Sequence, residues 1–394
     1  MTVAIIGIIT TFALGALYAA RERARYTRTQ ATIAKLDRQI AYRWDSYLTR
    51  RLPIDPTAGV NLTLEAAPAD VAAATDEEEI HELIRGTAAG IVAQRVVRAR
   101  NELMRMELPD QYSDLFFVPQ YLVARDTNGV PTDPIYAATR DTYLRRIAAA
   151  VGVDVANLDF TTHIQPLRQN ESAEMLYLIV TTAAGGDSAP AARFKEREVG
   201  DTDGDGMPEF LDGWGRPIAF LRWAPGFRTD PDPAWSGVTV VSDYQTGEEH
   251  HDPNPFDPLH LDEAWNGTDY DTPPEDPNPP DHEYMGYRLY PLIMSAGPDG
   301  EFGIFQFTNT VLAPSGTVPD AEIDAQYAKN SFPYALHRYP DDDDDDYSGI
   351  DATALFQRGT PRRVRRPAST SPPYEYDPTY QHLDNVHNHA LGAR

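Results

Sequence analysis

From Thr2 to Ala20 the chain reads TVAIIGIITTFALGALYAA, without a single charged residue. A helix of that length, at 1.5 Å rise per residue, measures about 28 Å, close to the roughly 30 Å hydrocarbon layer of a bilayer. A cleaved signal peptide would place its basic residues ahead of a shorter apolar run. Here Arg21, Arg23, Arg25 and Arg28 follow the run. The pattern therefore predicts a transmembrane segment at 2–20. Beyond it Tyr26, Thr29, Ile33, Leu36, Ile40, Trp44 and Tyr47 or Leu48 recur every three or four residues, which is one apolar stripe on a helix. Pro53 ends it. One helix over 1–51 is predicted, apolar all round in its first half and amphipathic in its second.

The rest of the chain changes character twice. Thr75 to Glu78 spells a capping box, and the helix after it carries Ile80, Leu83, Ile84, Ile91, Val92, Val96, Leu103 and Met104 on one side until Pro109 stops it. Further helices are expected from Pro134 to Ala150 and from Glu171 to Ala184, the latter with Asn170 as N-cap. Arg216–Trp223, Gly237–Ser242 and Tyr287–Ser295 are β-like runs bounded by Gly, Pro and Asp. Residues 245–284 and 340–380, the latter holding Asp341–Asp346, are too rich in Asp, Pro and Asn to form a core. The expected fold is α+β, with a small antiparallel sheet packed on the first helix. Its parts are the long helix (1–51), a helical region (52–169), a head (170–305) and a Pro/Asp-rich C-terminal region (306–394).

Charge and composition narrow the function. Residues 1–51 carry nine Lys/Arg against three Asp/Glu, so the rest of the chain carries 32 net negative charges against −26 for the whole. An acidic body repels nucleic acid and suits cations or basic partners. The absence of cysteine excludes disulfides, thiolate nucleophiles and Cys-ligated zinc.

The sharpest local signal is Asp201-Thr-Asp203-Gly-Asp205-Gly-Met207-Pro-Glu209-Phe-Leu-Asp212. Carboxylates at positions 1, 3 and 5, Gly at 6, a backbone carbonyl at 7, and acids at 9 and 12 match an EF-hand-type calcium loop. The alternation lets successive carboxylates converge on one cation, and crowded acids repel one another without it. Asp201, Asp203, Asp205, Met207 (through its carbonyl), Glu209 and Asp212 are the candidate ligands. Aspartate at the last position shortens the reach, which fits a weak, structural calcium site.

The segment IIGIITTFALGALYAARERARYTRTQATIAKLDRQI resembles the long first helix of type IV pilins and of the pseudopilins of type II secretion. Asp212-Gly-Trp214-Gly215-Arg-Pro217 is similar to the Asp-x-Trp-Gly-x-Pro turn of major pseudopilins. Ser295-Ala-Gly297-Pro-Asp299-Gly300-Glu-Phe-Gly303 resembles their Ser-x-Gly-x-Asp-Gly-x-x-Gly loop. The resemblance implies a core-anchoring role for Trp214 and a single-pass inner-membrane protein with its head outside the cytoplasm. It also implies a second calcium site at Asp299, completed from the segment holding Asp384 and Asn385, and packing of the first helix with other pilin-like subunits. The family's basic leader, the Phe-Thr-Leu-Ile-Glu-like start and the processing and methylation that go with them are expected upstream of Met1.

No HExxH, GxSxG, Walker or placed GxGxxG spelling occurs, and the histidines at 250, 251, 260, 387 and 389 sit among Asp, Pro and Asn. The sequence thus predicts no enzyme and no small-molecule substrate. It predicts a structural subunit of a pseudopilus or pilus-like filament with a calcium-stabilised head. The alternative is a tethered, calcium-dependent binding or scaffold protein that does not polymerise.

Overall fold

The structure is a computed structural model that describes residues 2–61, 83–84, 86–182, 194–224, 256–257 and 291–300, with short pieces at 302, 337–338, 355–356, 363–365, 374–376 and 386–388. It is a mixed α and β molecule with a long N-terminal helix and small antiparallel sheets. Four α-helices are described: α1 (Thr2–Thr49), α2 (Ala88–Glu107), α3 (Ala138–Val151) and α4 (Glu171–Thr182). The expected capping box at Thr75, the strand at 237–242 and the Asp341–Asp346 run lie outside the described residues.

The two halves of α1 behave as differently as their patterns. Thr29, Ile33, Leu36, Ile40, Trp44 and Tyr47 are all at most 3% exposed, so the amphipathic stripe is the face turned to the head. Tyr26 and Leu48 fall outside it and are exposed. In the first half Ile5, Ile6, Ile9, Phe12, Leu14, Leu17 and Tyr18 are between 55% and 75% exposed. The expectation of a single-pass inner-membrane protein is not upheld. Among the described residues no helix is long and apolar enough to cross a membrane.

Three strands form the central sheet, in the order β11–β6–β5. Strand β5 is Ile218–Leu221, β6 is Leu292–Ser295 and β11 is Val386–His387. Both pairings are antiparallel, with Ile218 opposite Ser295 and Ser295 opposite Val386. Strands β5 and β6 are buried throughout, because α1 and α4 cover the sheet. Asn388 fastens the edge: its Oδ1 accepts from Ile293 N at 2.9 Å, while Nδ2 donates to Asp37 of α1 at 2.8 Å and to Pro291 O at 3.0 Å. Two-residue strands β3 (Val199–Gly200) and β4 (Glu209–Phe210) bracket the aspartate loop as an antiparallel pair. Strands β1 (Val123–Arg125) and β2 (Pro131–Pro134) form another, so α3 begins at Ala138 instead of Pro134. Two remote pairs, β7 (His337–Arg338) with β8 (Leu355–Phe356) and β9 (Arg363–Arg365) with β10 (Tyr374–Tyr376), complete the strands described.

One apolar core joins these pieces. Ile33, Leu36, Ile40 and Trp44 from α1 meet Leu103 and Met104 from α2, Tyr143 and Ile147 from α3, and Met175 and Ile179 from α4. Phe210, Phe220 and Ile293 from the strands close the same cluster. The helix α2 starts at the Thr87 cap, whose hydroxyl accepts from Gly90 N, and ends two residues before Pro109.

Beneath this core lies a buried ionic group. The Arg222 guanidinium donates to Asp114 Oδ2 at 2.7 Å and to Leu108 O at 3.0 Å, and Arg105 Nε donates to Asp114 Oδ1 at 2.6 Å. The backbone of Arg222 donates to Asp110 Oδ2 at 2.8 Å. Arg105, Asp110, Asp114 and Arg222 are each at most 1% exposed. Charges so placed are tolerated only when paired and hydrogen-bonded. The group ties the end of α2 to the residue after β5.

Candidate metal centre

The aspartate loop runs between β3 and β4, and its backbone is organised by its own carboxylates. Asp201 accepts from Gly204 N at 2.7 Å and from Gly206 N at 3.0 Å, and Asp205 Oδ1 accepts from Met207 N at 2.7 Å. Gly206 has φ of +95°, so the sharp turn expected at that position is present. Asp201 is exposed, Asp203 and Asp205 are half-buried, and the ligand oxygens of the three lie within 4.8 Å of one another. The side chain of Met207 is buried in the core, which fixes the loop's far end.

A second triplet shares Asp203. Glu174 from the first turn of α4 and Glu209 from β4 bring ligand oxygens within 4.8 Å of each other and of Asp203. Glu174 and Glu209 are both fully buried. Tyr112, on the short helical turn Tyr112–Leu115, donates its hydroxyl to Glu174 Oε2. The Asn170 amide donates to Asp203 Oδ2 at 3.1 Å, to Glu209 Oε1 at 3.1 Å and to Thr202 Oγ1 at 3.0 Å. Thr202 N donates to Glu209 Oε2 at 3.0 Å.

Electrostatics in this cluster are unfavourable for anions. Burial, and then the charges of Asp205, Asp203 and Glu209, push the Glu174 carboxyl up to about 9, against the pull of the Tyr112 hydroxyl. Burial and Asp203 push Glu209 up to about 7. Asp205 is raised as well, first by burial and then by its two aspartate neighbours. Glu174 Oε1, Asp203 Oδ1 and Asp205 Oδ2 are buried with no hydrogen-bond partner. Such atoms are costly to leave unsatisfied. A hard cation supplies the missing partner to an all-oxygen set, and among common ions calcium tolerates the irregular geometry best. The residues present therefore fit calcium.

Not every expected ligand joins. Asp212 stands apart from both triplets because its oxygens are taken. Oδ1 accepts from Trp214 N at 2.7 Å and Arg216 N at 3.0 Å, and Oδ2 accepts from Ser295 Oγ at 2.6 Å. It braces the turn and the sheet. Asp299 is exposed, and Asp384 and Asn385 lie outside the described residues. Asn170, expected as a helix cap, instead turns its amide into the carboxylates. His387 forms part of β11, paired with Met294.

Trp214 packs against the core, and its turn also grips the first helix. Trp214 is half-buried and its Nε1 donates to Glu22 Oε2 at 2.8 Å. Gly213 N donates to Thr29 Oγ1 at 2.8 Å, and Thr29 Oγ1 in turn donates to Arg25 O at 3.0 Å. Glu198 accepts from Thr32 at 3.2 Å and from Lys35 at 3.0 Å.

Sequence reasoning missed Glu174 and Tyr112. An acid in the first turn of a helix reads as a complement to the helix dipole. The one signal that Glu174 is different is its place in the otherwise apolar run Ala173–Val180, where a lone carboxylate must be buried. Compared with protein-family models, with curated proteins and with solved structures, the chain matches none.

Proposed function

We propose that this chain is a structural subunit that assembles through the first half of α1, in the manner of type IV pilus or type II secretion pseudopilus subunits, with a head stiffened by calcium. The observation that carries the reading is the contrast within one helix. Ile33, Leu36 and Ile40 are buried against the head, whereas Ile9, Phe12, Leu14 and Leu17 on the same rod are more than 60% exposed. Each such side chain contributes about 1.5–3 kcal/mol when fully buried, so a rod of them strongly favours an apolar partner. Copies of the same helix offer a partner of matching length and chemistry, by ridge-into-groove packing. Catalysis has no part in this reading.

The calcium loop supports it mechanically. It lies between β3 and β4, against α4, and the Trp214 turn that follows holds α1 through Glu22 and Thr29. An ion at the loop would stiffen the seat of the helix through which subunits would join. The test is self-association of the full chain, followed by sedimentation and electron microscopy with and without calcium. Filaments or discrete oligomers that disappear in Leu14→Asp and Leu17→Asp are expected. A chain that stays monomeric while binding calcium would refute assembly and leave a calcium-dependent scaffold as the better reading.

A further inference from the structure

We propose that the carboxylate cluster holds two cations, the second at a buried position formed by Glu174, Asp203 and Glu209. This rests on the calcium-loop reading and extends it from the loop into the core. The two triplets share Asp203 but remain separate at a span of 4.8 Å, so five carboxylates do not close on one point. Oxygens that far apart at most are what an ion with ligands at 2.3–2.6 Å can bridge.

The buried triplet has its own sign of a missing ligand. Glu174 is 0% exposed, its Oε2 is occupied by the Tyr112 hydroxyl, and its Oε1 has no partner. The donors that reach Asp203 and Glu209 from Asn170 and Thr202 are neutral amides and a hydroxyl. No described Lys or Arg forms an ion pair with any of the three carboxylates. Neutral donors satisfy lone pairs but leave the buried charge uncompensated. A divalent cation with an all-oxygen shell satisfies both needs, and the absence of nitrogen or sulfur ligands selects calcium over transition metals. Asp203 then bridges the exposed and buried ions, and Glu174 makes α4 a direct party to the site.

Calorimetric titration of the metal-stripped full chain with calcium tests this, alongside terbium luminescence sensitised by Tyr112. Two ions per chain are expected. Glu174→Gln keeps the shape and a hydrogen-bond acceptor for Tyr112, and it should leave one ion and abolish the tyrosine-sensitised terbium signal. Asp201→Asn should also leave one ion but keep that signal. One ion in the wild type, unaffected by Glu174→Gln and lost in Asp201→Asn, would overturn the buried position and leave the loop site standing. One ion lost in both variants would overturn the two-ion arrangement in favour of a single shared one. No binding at all would overturn both the loop and its extension. Circular dichroism of the ion-free variants checks that each is folded.

Discussion

Gly213 lies so close beneath Arg25 that a Cβ on it would stand 2.2 Å from the Arg25 carbonyl oxygen. The turn before β5 and the middle of α1 are thus in backbone contact, with Thr29 Oγ1 bridging them. Gly213→Ala should push the helix off its seat at a cost on the order of 1–3 kcal/mol, as for other overpacked sites. Thermal unfolding would show the loss. Thr29→Val should lose only the bridging hydrogen bond, about 1 kcal/mol.

The buried pair Arg222 and Asp114 should be far more sensitive than any surface pair. Arg222→Met strips Asp114 of one of its two guanidinium partners without restoring water to it, and is expected to cost about 3–5 kcal/mol. Denaturant titration measures this, with Arg50→Met at the exposed Arg50–Glu107 pair as the weak comparison.

Asp114 also sets an acid limit. Burial alone would push its carboxyl up, but the Arg222 and Arg105 guanidiniums outweigh this and hold it well below the usual carboxylate range. An unfolded aspartate titrates near pH 3.9. A depressed folded value means that the stabilisation is complete above about pH 4 and is lost as the pH falls further toward the folded value. Unfolding midpoints measured downward from neutral pH should fall steeply below about pH 4. Glu198, lowered by the Lys195 backbone and by Lys35 against its burial, should add to the same limb.

Calcium should raise the stability of the chain, and chelation should remove the gain. At a hundredfold excess over the dissociation constant the stabilisation is about 2.7 kcal/mol. Asp203→Asn should abolish most of it. Asp212→Asn should leave the calcium midpoint within about twofold, less than about 0.5 kcal/mol, while lowering the melting temperature through the Trp214 turn. Equal loss of affinity in the two variants would return Asp212 to the ligand set.

Asn388→Ala removes the acceptor for Ile293 N and both tethers to Asp37 and Pro291. Loss of buried partners should cost about 1–3 kcal/mol. Hydrogen exchange should accelerate first at Ile293, before β5 is affected.

The amphipathic half of α1 was legible because its 3.6-residue period is long and uninterrupted, and Thr29 to Tyr47 occupy the face that it assigns. The aspartate loop was legible because its ligands are close in sequence. What sequence spacing hides is convergence across distance. Glu174 meets Asp203 only after α4 is laid against the β3–β4 pair. Asp212 fits the loop's spacing, yet it is claimed by Ser295 from a distant strand. The membrane reading of the first half rested on an uncharged run, whereas among the described residues no helix is long and apolar enough to cross a membrane.

The central sheet has a consequence for how such a molecule tolerates change. Strand β5 ends at Leu221 and β6 begins at Leu292, and β6 ends at Ser295 while its other neighbour β11 begins at Val386. Two long excursions therefore leave and rejoin the same small platform, and both are anchored at each end by paired backbone. Lengthening a closed loop costs only about 0.6 kcal/mol per doubling. Insertions in either excursion should therefore cost little while the three strands stay in register, provided that Phe256, whose ring packs on Trp44, is kept.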